Sequence, residues 1–481
     1  MPQKKQGIFF LTLSLYLLSI KLTTLSANED TKILPQKTRA ILSLRNLPVE
    51  SLSVHVVDID SNDVILSWNA MTPKNPASVM KILTTAVALD ELGPTYQWHT
   101  DFYYTGTLEN EILDGDLIMK GFGDPYLTAE KIWIMLKSLR RKGIRSITGD
   151  LLLDDSYFSL PNYLPGAFDN EPIRTYNVGP NALMFNLKTI KFHVEADMKN
   201  NMVKIFEDPK LENLNIVNKL IPIDGDCDGF QRGIKMVPNK TFNQLSFMGT
   251  FPDGCRDFSF YRSMLSHNEY TFALFKSIWH QLGGELLGDW RNIIFEPLDE
   301  PFFSYDSETL SNVIGSINKH SNNVMTRNLL LTLAAEKYPL PATQKKGRMV
   351  IEEWLNNKGL NRIGFDYDNG AGLSRQSRLT AEQVTELLLE TYKSPFMPEF
   401  MASLSLSGLD GTMFERFSDD EITGKLHVKT GMIDHVSSMA GYLYSKNGKR
   451  YAFSIIQNYH DIHRGYGEEV QETLVRWLYN Y

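Results

Sequence analysis

Ser78-Val79-Met80-Lys81 puts a hydroxyl and an amine three residues apart in the run NPASVMKILTTAVALDELG. The apolar residues after Lys81 predict a helix, and on a helix positions i and i+3 share one face. A serine is a poor nucleophile unless a base stands beside it. A lysine supplies that base when burial and nearby positive charge pull its pKa toward neutrality. The pattern alone is common, and Ser316-Ile317-Asn318-Lys319 repeats it. Either copy reads equally well as ordinary helix. Ser321-Asn322-Asn323 opens a helical run after Lys319-His320. Its hydroxyl is suited to relaying a proton to a leaving amine, and its carboxamide to orienting a peptide carbonyl. The plain alternative for Ser321 is a helix N-cap. Lys429-Thr430-Gly431 follows the strand-like LHV and is the only K-T-G in the chain. A cation and a hydroxyl on a strand edge suit a carboxylate, and the glycine admits a close backbone approach.

These groups need elements to bring them together. Residues 53–69 read as two strands around a polar turn at Asp60–Asp63, and Lys425–Lys429, Ser438–Ser445 and Tyr451–Asn458 as three more. Helical spacing runs through 78–93, 321–337, 343–358, 380–393 and Gly467–Tyr479. Strands from both chain ends with helices between them predict one antiparallel sheet flanked by helices, an α/β (α+β) architecture. From about Tyr96 to Pro301, short strand-like runs alternate with Gly-, Pro- and Asn-rich turns. The expected division is 28–96 with 302–481 as one domain, and 97–301 as a nested, mainly β insertion of two units.

With 481 residues, the chain is long enough for two or three domains, and its 42% apolar and 22% charged content is that of a folded protein. The formal charge of −8 without a Lys/Arg-rich run excludes nucleic-acid binding. Residues 1–27 read as an export signal cleaved after Ala27, with Lys4 and Lys5 before the apolar stretch Gly7–Ile20 and small residues at Ser26 and Ala27, an uncleaved anchor being the alternative. The expected location is the periplasm, with the mature chain either free there or resting on the membrane surface. In an oxidising compartment Cys227 and Cys255 are expected to form a disulfide, two unpaired thiols being the alternative. No His/Cys run has metal spacing, so no metal and no cofactor is expected.

S-x-x-K, S-x-N and K-T-G in this order form the signature of penicillin-binding proteins and class A β-lactamases. From about residue 50 the chain resembles the D-alanyl-D-alanine carboxypeptidase/endopeptidase family, the class C low-molecular-mass penicillin-binding proteins. PASVMKILTTAVALDELGPTY, GFGDPYLT, ITGDLLLDDSYF, YNVGPNAL, NKHSNN, NGAGLSR, LSGLDGT and HVKTGMIDHVSSMAGYL carry that resemblance, as does the long insertion, which β-lactamases lack. It implies hydrolysis of D-alanyl bonds in peptidoglycan peptides, with inhibition by β-lactams. Ser78 would be the acylated nucleophile, Lys81 its base, and Ser321 a proton shuttle near Lys429. Asn323 would orient the peptide carbonyl, Lys429 and Thr430 would hold the D-alanine carboxylate, and the Ser78 and Met432 N–H groups would form the oxyanion hole.

Two positions depart from the family pattern. Met432 stands where a Thr or Ser is usual, which implies weaker carboxypeptidase activity or a tilt toward endopeptidase cuts. Ala371 replaces a commoner Ser, with little expected effect. Counting five back from Tyr176 gives Glu171, implied to meet the free amine of a diaminopimelate-type side chain, or else to be a solvated loop carboxylate. Two competing readings share the scaffold: a β-lactamase or esterase using the same serine, and a non-catalytic cell-wall-binding protein.

Overall fold

The computed structural model describes residues 33–160, 163–227 and 233–481; the predicted export segment lies outside them. Both chain ends build one six-stranded sheet. β1 (Leu52–Asp58) and β2 (Val64–Trp68) come from the N-terminal part. The C-terminal part gives β3 (Ser405–Leu406), β4 (Leu426–Ile433), β5 (Val436–Tyr444) and β6 (Arg450–Asn458). The order is β3-β4-β5-β6-β1-β2, antiparallel throughout. Leu52 of β1 pairs with Gln457 of β6, so a register between distant parts of the chain closes the sheet.

Alternating side chains of the central strands leave opposite faces, and both faces are buried. Met439, Leu443, Phe453 and Ile455 pack with Leu42 of α1 (Gln36–Leu44) and with Val470 and Leu474 of α7 (Tyr466–Asn480). Ala440, Tyr442, Ala452 and Ile456 pack on the other side against α2 (Lys81–Leu92) and α6 (Ala381–Lys393). That layer also holds α3 (Leu310–Lys319), α4 (Asn323–Lys337) and α5 (Gln344–Asn357). The fold is thus the predicted sheet flanked by helices.

The N-cap of α4 departs from the sequence reading. Asn322, not Ser321, caps the helix by accepting from the Met325 N–H at 3.1 Å. Ser321 sits at φ +54° just before it, which turns its hydroxyl away from the helix end.

The middle of the chain has its own sheets and its own core. Gln97–Tyr104, Leu117–Gly121, Leu151–Asp154 and Trp290–Asn292 belong to a five-stranded sheet whose fifth strand is Phe303–Thr309. That last strand lies beyond residue 301, where the sequence division ends the insertion. Two long helices, Ala129–Arg141 and His267–Gln281, pack into the same core, so the region is less purely β than its turn-rich sequence suggests. A three-stranded sheet of Asn215–Ile223, Ile234–Pro238 and Gln244–Pro252 follows, its outer two strands both pairing with the last. Cys227 and Cys255 are disulfide-bonded just past the C-terminal ends of its parallel pair.

Candidate active site

The Ser78 turn is held from several sides. Ala77–Met80 forms a short 3-10 turn leading into α2. Asn75 Oδ1 accepts the Ala77 N–H at 2.9 Å, and Asn75 Nδ2 donates to the Ser374 carbonyl at 2.8 Å. Asn458 at the end of β6 bonds Asn75 both ways, and Ser438 Oγ of β5 donates to the Pro76 carbonyl at 2.6 Å. Within this frame Ala77 is held at φ +44°. Such a conformation costs a non-glycine residue about 1–3 kcal/mol and persists only where its surroundings enforce it. Ala77 and Ser321 are two such residues, each adjacent to or part of a predicted catalytic motif.

Lys81 is fully buried, and its Nζ meets three partners. They are Ser78 Oγ at 2.9 Å, Asn323 Oδ1 at 2.7 Å and the Ala371 carbonyl at 2.5 Å. Burial, then the nearby positive charges of Lys429 and Arg327, hold its pKa well below the usual lysine range. A neutral amine has two N–H donors and one lone pair. Asn323 Oδ1 and the Ala371 carbonyl can only accept, so they take the two donors. The lone pair is left for Ser78, the one neighbour able to give a proton. Ala371 acts here through its backbone, which is why the absence of a serine side chain there leaves this contact intact.

Lys429 of β4 is also fully buried. Its Nζ donates to Ser321 Oγ at 3.0 Å and to the Thr430 carbonyl at 2.6 Å, and burial pushes its pKa down to about 7. Thr430 Oγ1 bonds Thr412 Oγ1 at 2.8 Å, bringing a residue of the LSGLDGT segment to the strand edge. A Cβ on Gly431 would lie 2.3 Å from Ser438 Oγ and 2.9 Å from Ser78 N, so only glycine lets β4 approach the Ser78 turn this closely. Met432 follows it, about half exposed.

The structure therefore joins Ser78, Lys81 and Asn323 in one hydrogen-bonded group and Ser321, Lys429 and Thr430 in a second. The second S-x-x-K stays apart, with Lys319 ion-paired to Asp410. Glu171 joins neither group; its Oε2 faces Arg174 Nε at 3.6 Å. Sequence reasoning missed Asn75, Thr412, Asn458 and Arg327. Arg327 lies one turn beyond Asn323, is 6% exposed, and donates to the Val178 carbonyl at 2.8 Å. It lines a cavity of about 440 Å³ with Tyr163, Phe168, Asn369 and Arg375.

A histidine cluster was also hidden by sequence distance. Ligand atoms of His435, Asp461 and His463 come within 4.8 Å of one another. The Nδ1 of His463 accepts from His435 N at 3.0 Å, and that of His435 from Asp461 N at 3.1 Å. Both lone pairs are thus engaged by backbone, as in a hydrogen-bonded corner.

Gly372 tests how tightly this frame is set. At φ +76° its Cβ would stand 1.9 Å from the Ala77 carbonyl oxygen. Gly372→Ala is expected to cost at least ~2 kcal/mol of stability and to slow Ser78 acylation about tenfold. Denaturant midpoints and penicillin acylation rates would measure both, and unchanged values would mean the loop yields freely.

The profile of the D-Ala-D-Ala carboxypeptidase 3 (S13) family matches residues 35–481, nearly all of the chain. The chain belongs to that family. As an S13 peptidase it is a serine-type hydrolase of the D-alanyl-D-alanine carboxypeptidase class. It is similar to the D-alanyl-D-alanine carboxypeptidase DacB of Haemophilus influenzae, 24% identical over 82% of this chain and 83% of that one. The crystal structure of penicillin binding protein 4 (dacB) from Haemophilus influenzae shares this S13 peptidase's fold. The two superpose at a TM-score of 0.79 with 23% identity, over 93% of this chain and all (100%) of that one. The same Haemophilus influenzae protein complexed with a β-lactam gives a TM-score of 0.73 at 22% identity, over 89% and 96% of the two chains.

Proposed function

We propose that the chain hydrolyses D-alanyl-D-alanine bonds of peptidoglycan peptides through an ester on Ser78, and that β-lactams form the same ester. The observation that carries this is the Lys81 environment, whose two obligate acceptors leave the amine's lone pair for Ser78. Ser78 Oγ attacks the peptide carbonyl while its proton moves to Lys81 Nζ. The Ser78 and Met432 N–H groups take the negative charge on the carbonyl oxygen. The C–N bond then breaks, and the proton that Lys81 took from Ser78 passes to the departing D-alanine amine by way of the Ser321 hydroxyl, which Lys429 holds, so that Lys81 is neutral again. Asn323 orients the peptide, and Lys429 and Thr430 hold the terminal carboxylate. Water completes the cycle by cleaving the ester, with Lys81 again as base.

The reading includes export to the periplasm, supported by the Lys4, Lys5 and Gly7–Ile20 pattern and by the cell-wall substrate. No helix of the described residues is long and apolar enough to cross a membrane.

Intact-protein mass spectrometry after incubation with benzylpenicillin tests the central claim. A stable adduct on wild type and none on Ser78→Ala is the expected result. A folded protein that leaves penicillin intact would overturn it in favour of a non-catalytic binding protein, and rapid loss of the adduct would favour a β-lactamase.

Met432 bears on which bond is preferred, since a thioether beside Thr430 offers no hydrogen bond to a substrate carboxylate. Met432→Thr is expected to raise hydrolysis of a D-Ala-D-Ala pentapeptide several-fold, about what one added hydrogen bond to a charged group gives. Cross-linked dimers, whose bond is internal, should gain less. Equal rates for both proteins on the pentapeptide would remove Met432 from the account.

A further inference from the structure

Glu171 is exposed, with its carboxylate 3.6 Å from Arg174 Nε. It borders a cavity of about 380 Å³ together with Arg174, Lys235 and Arg262, so three cations face one carboxylate. Arg262 ends the strand Phe258–Arg262 and is only 8% exposed. Its Nη1 donates to the Tyr261 carbonyl at 2.7 Å, and its guanidinium lies 4.8 Å from the centre of the Phe260 ring. Among the described residues no carboxylate forms an ion pair with it. Glu171, the acid that lines the same cavity, is turned toward Arg174. A buried guanidinium with donors to spare is costly to desolvate and gains when an anion enters beside it. Burial and the Arg174 charge together pull its pKa down to about 10, the direction expected where positive charge is incompletely balanced.

We propose that this cavity in the inserted region binds the carboxylate of a peptide, at a place separate from the Ser78 centre. The remaining lining decides between anions. Ile173, Ile234, Met236 and Phe260 give it an apolar side, and Glu171 at its edge repels a dianion more than a monoanion. A planar carboxylate on a partly apolar body fits a guanidinium stacked on an aromatic ring, whereas a strongly hydrated phosphate loses more on entry. The choice of a peptide rests on the proposed function, because cell-wall peptides carry side-chain and α-carboxylates besides the D-alanine end. The cavity would then hold a second part of the same strand, or a neighbouring peptide, while the bond is cut at Ser78.

The test uses the full chain acylated by benzylpenicillin, so that the catalytic cleft is filled. The probe is dansyl-L-Ala-D-Glu-L-Lys as the free acid, beside its fully amidated form, read by fluorescence anisotropy. The acid is expected to bind at least about tenfold more tightly than the amide, as a charge-assisted contact requires. Arg262→Met should remove that difference, and Arg174→Gln should reduce it, while the rate of Ser78 acylation stays at the wild-type value. Equal binding of acid and amide, an unaffected Arg262→Met, or binding of polyphosphate without binding of the peptide would each overturn the proposal. If Arg262→Met does not fold, the acid–amide comparison on wild type and on Arg174→Gln decides. Loss of peptide binding with acylation intact counts against this site alone; loss of acylation in the wild type counts against the proposed function.

Discussion

Lys81→Met should fold and yet be acylated by benzylpenicillin roughly 10³-fold more slowly than wild type, the scale of a removed general base. Methionine keeps the unbranched shape of a side chain with no exposed surface, so the surrounding helices need not repack. What it loses is the nitrogen. Asn323 Oδ1 and the Ala371 carbonyl, now bonded to Nζ at 2.7 and 2.5 Å, would be left buried without a donor. That costs ~1–3 kcal/mol for each group, offset because a buried amine no longer has to be desolvated. Stability should therefore change little while acylation collapses. Time-resolved intact mass gives the rate and thermal melting the stability. The matching control is Lys319→Met in the second S-x-x-K, whose amine pairs with Asp410 and not with a serine; it should be acylated at the wild-type rate. A Lys81→Met protein within tenfold of wild type would mean that Ser78 is activated by some other group.

The reach of sequence reading follows from which atoms carry the chemistry. The groups Ser78–Lys81–Asn323 and Ser321–Lys429 could be anticipated because they are built from side chains in short motifs with fixed spacings. The sheet was visible because β1, β5 and β6 are short runs rich in apolar and β-branched or aromatic residues, bounded by turn residues. Ala371 was seen only as a side chain, whereas its contribution is a carbonyl; any residue supplies one, so no residue type signals it. Asn75, Asn458 and Ser438 bond across 383 and 362 positions, and only the closed sheet brings them to the Ser78 turn. Ser321 and Asn322 are both good caps by type, and a backbone angle decided between them. Glu171 was placed by counting within a loop, and a count does not show that Arg174 is turned toward it. The strand Phe303–Thr309 looks like part of the following helix region because its pairing partner lies some two hundred residues upstream.

The same two lysines govern how activity depends on pH. Lys81 must be neutral to accept the Ser78 proton, so kcat/KM rises as pH passes upward through its lowered pKa. Lys429 must be charged to attract a substrate carboxylate, so kcat/KM falls as pH passes upward through about 7. Wild type should therefore show a bell, whose two limbs belong to interacting groups rather than to isolated ones. Lys429→Met is expected to lose about 10²-fold in kcat/KM toward D-Ala-D-Ala peptides, the cost of a missing buried charge partner. It should lose the alkaline limb with the titrating group. Its acid limb should also move to higher pH, because one of the two positive charges that keep Lys81 unprotonated has gone. Arg327→Gln separates these effects. Arg327 is the other positive neighbour, and its guanidinium is bonded to the Val178 carbonyl rather than to the catalytic groups. Its removal should shift the acid limb upward and leave the alkaline limb where it was. If Lys429→Met kept the wild-type acid limb, the charge coupling between the two lysines would be wrong. If it kept the alkaline limb, the group titrating there would not be Lys429, and the carboxylate would need another cation.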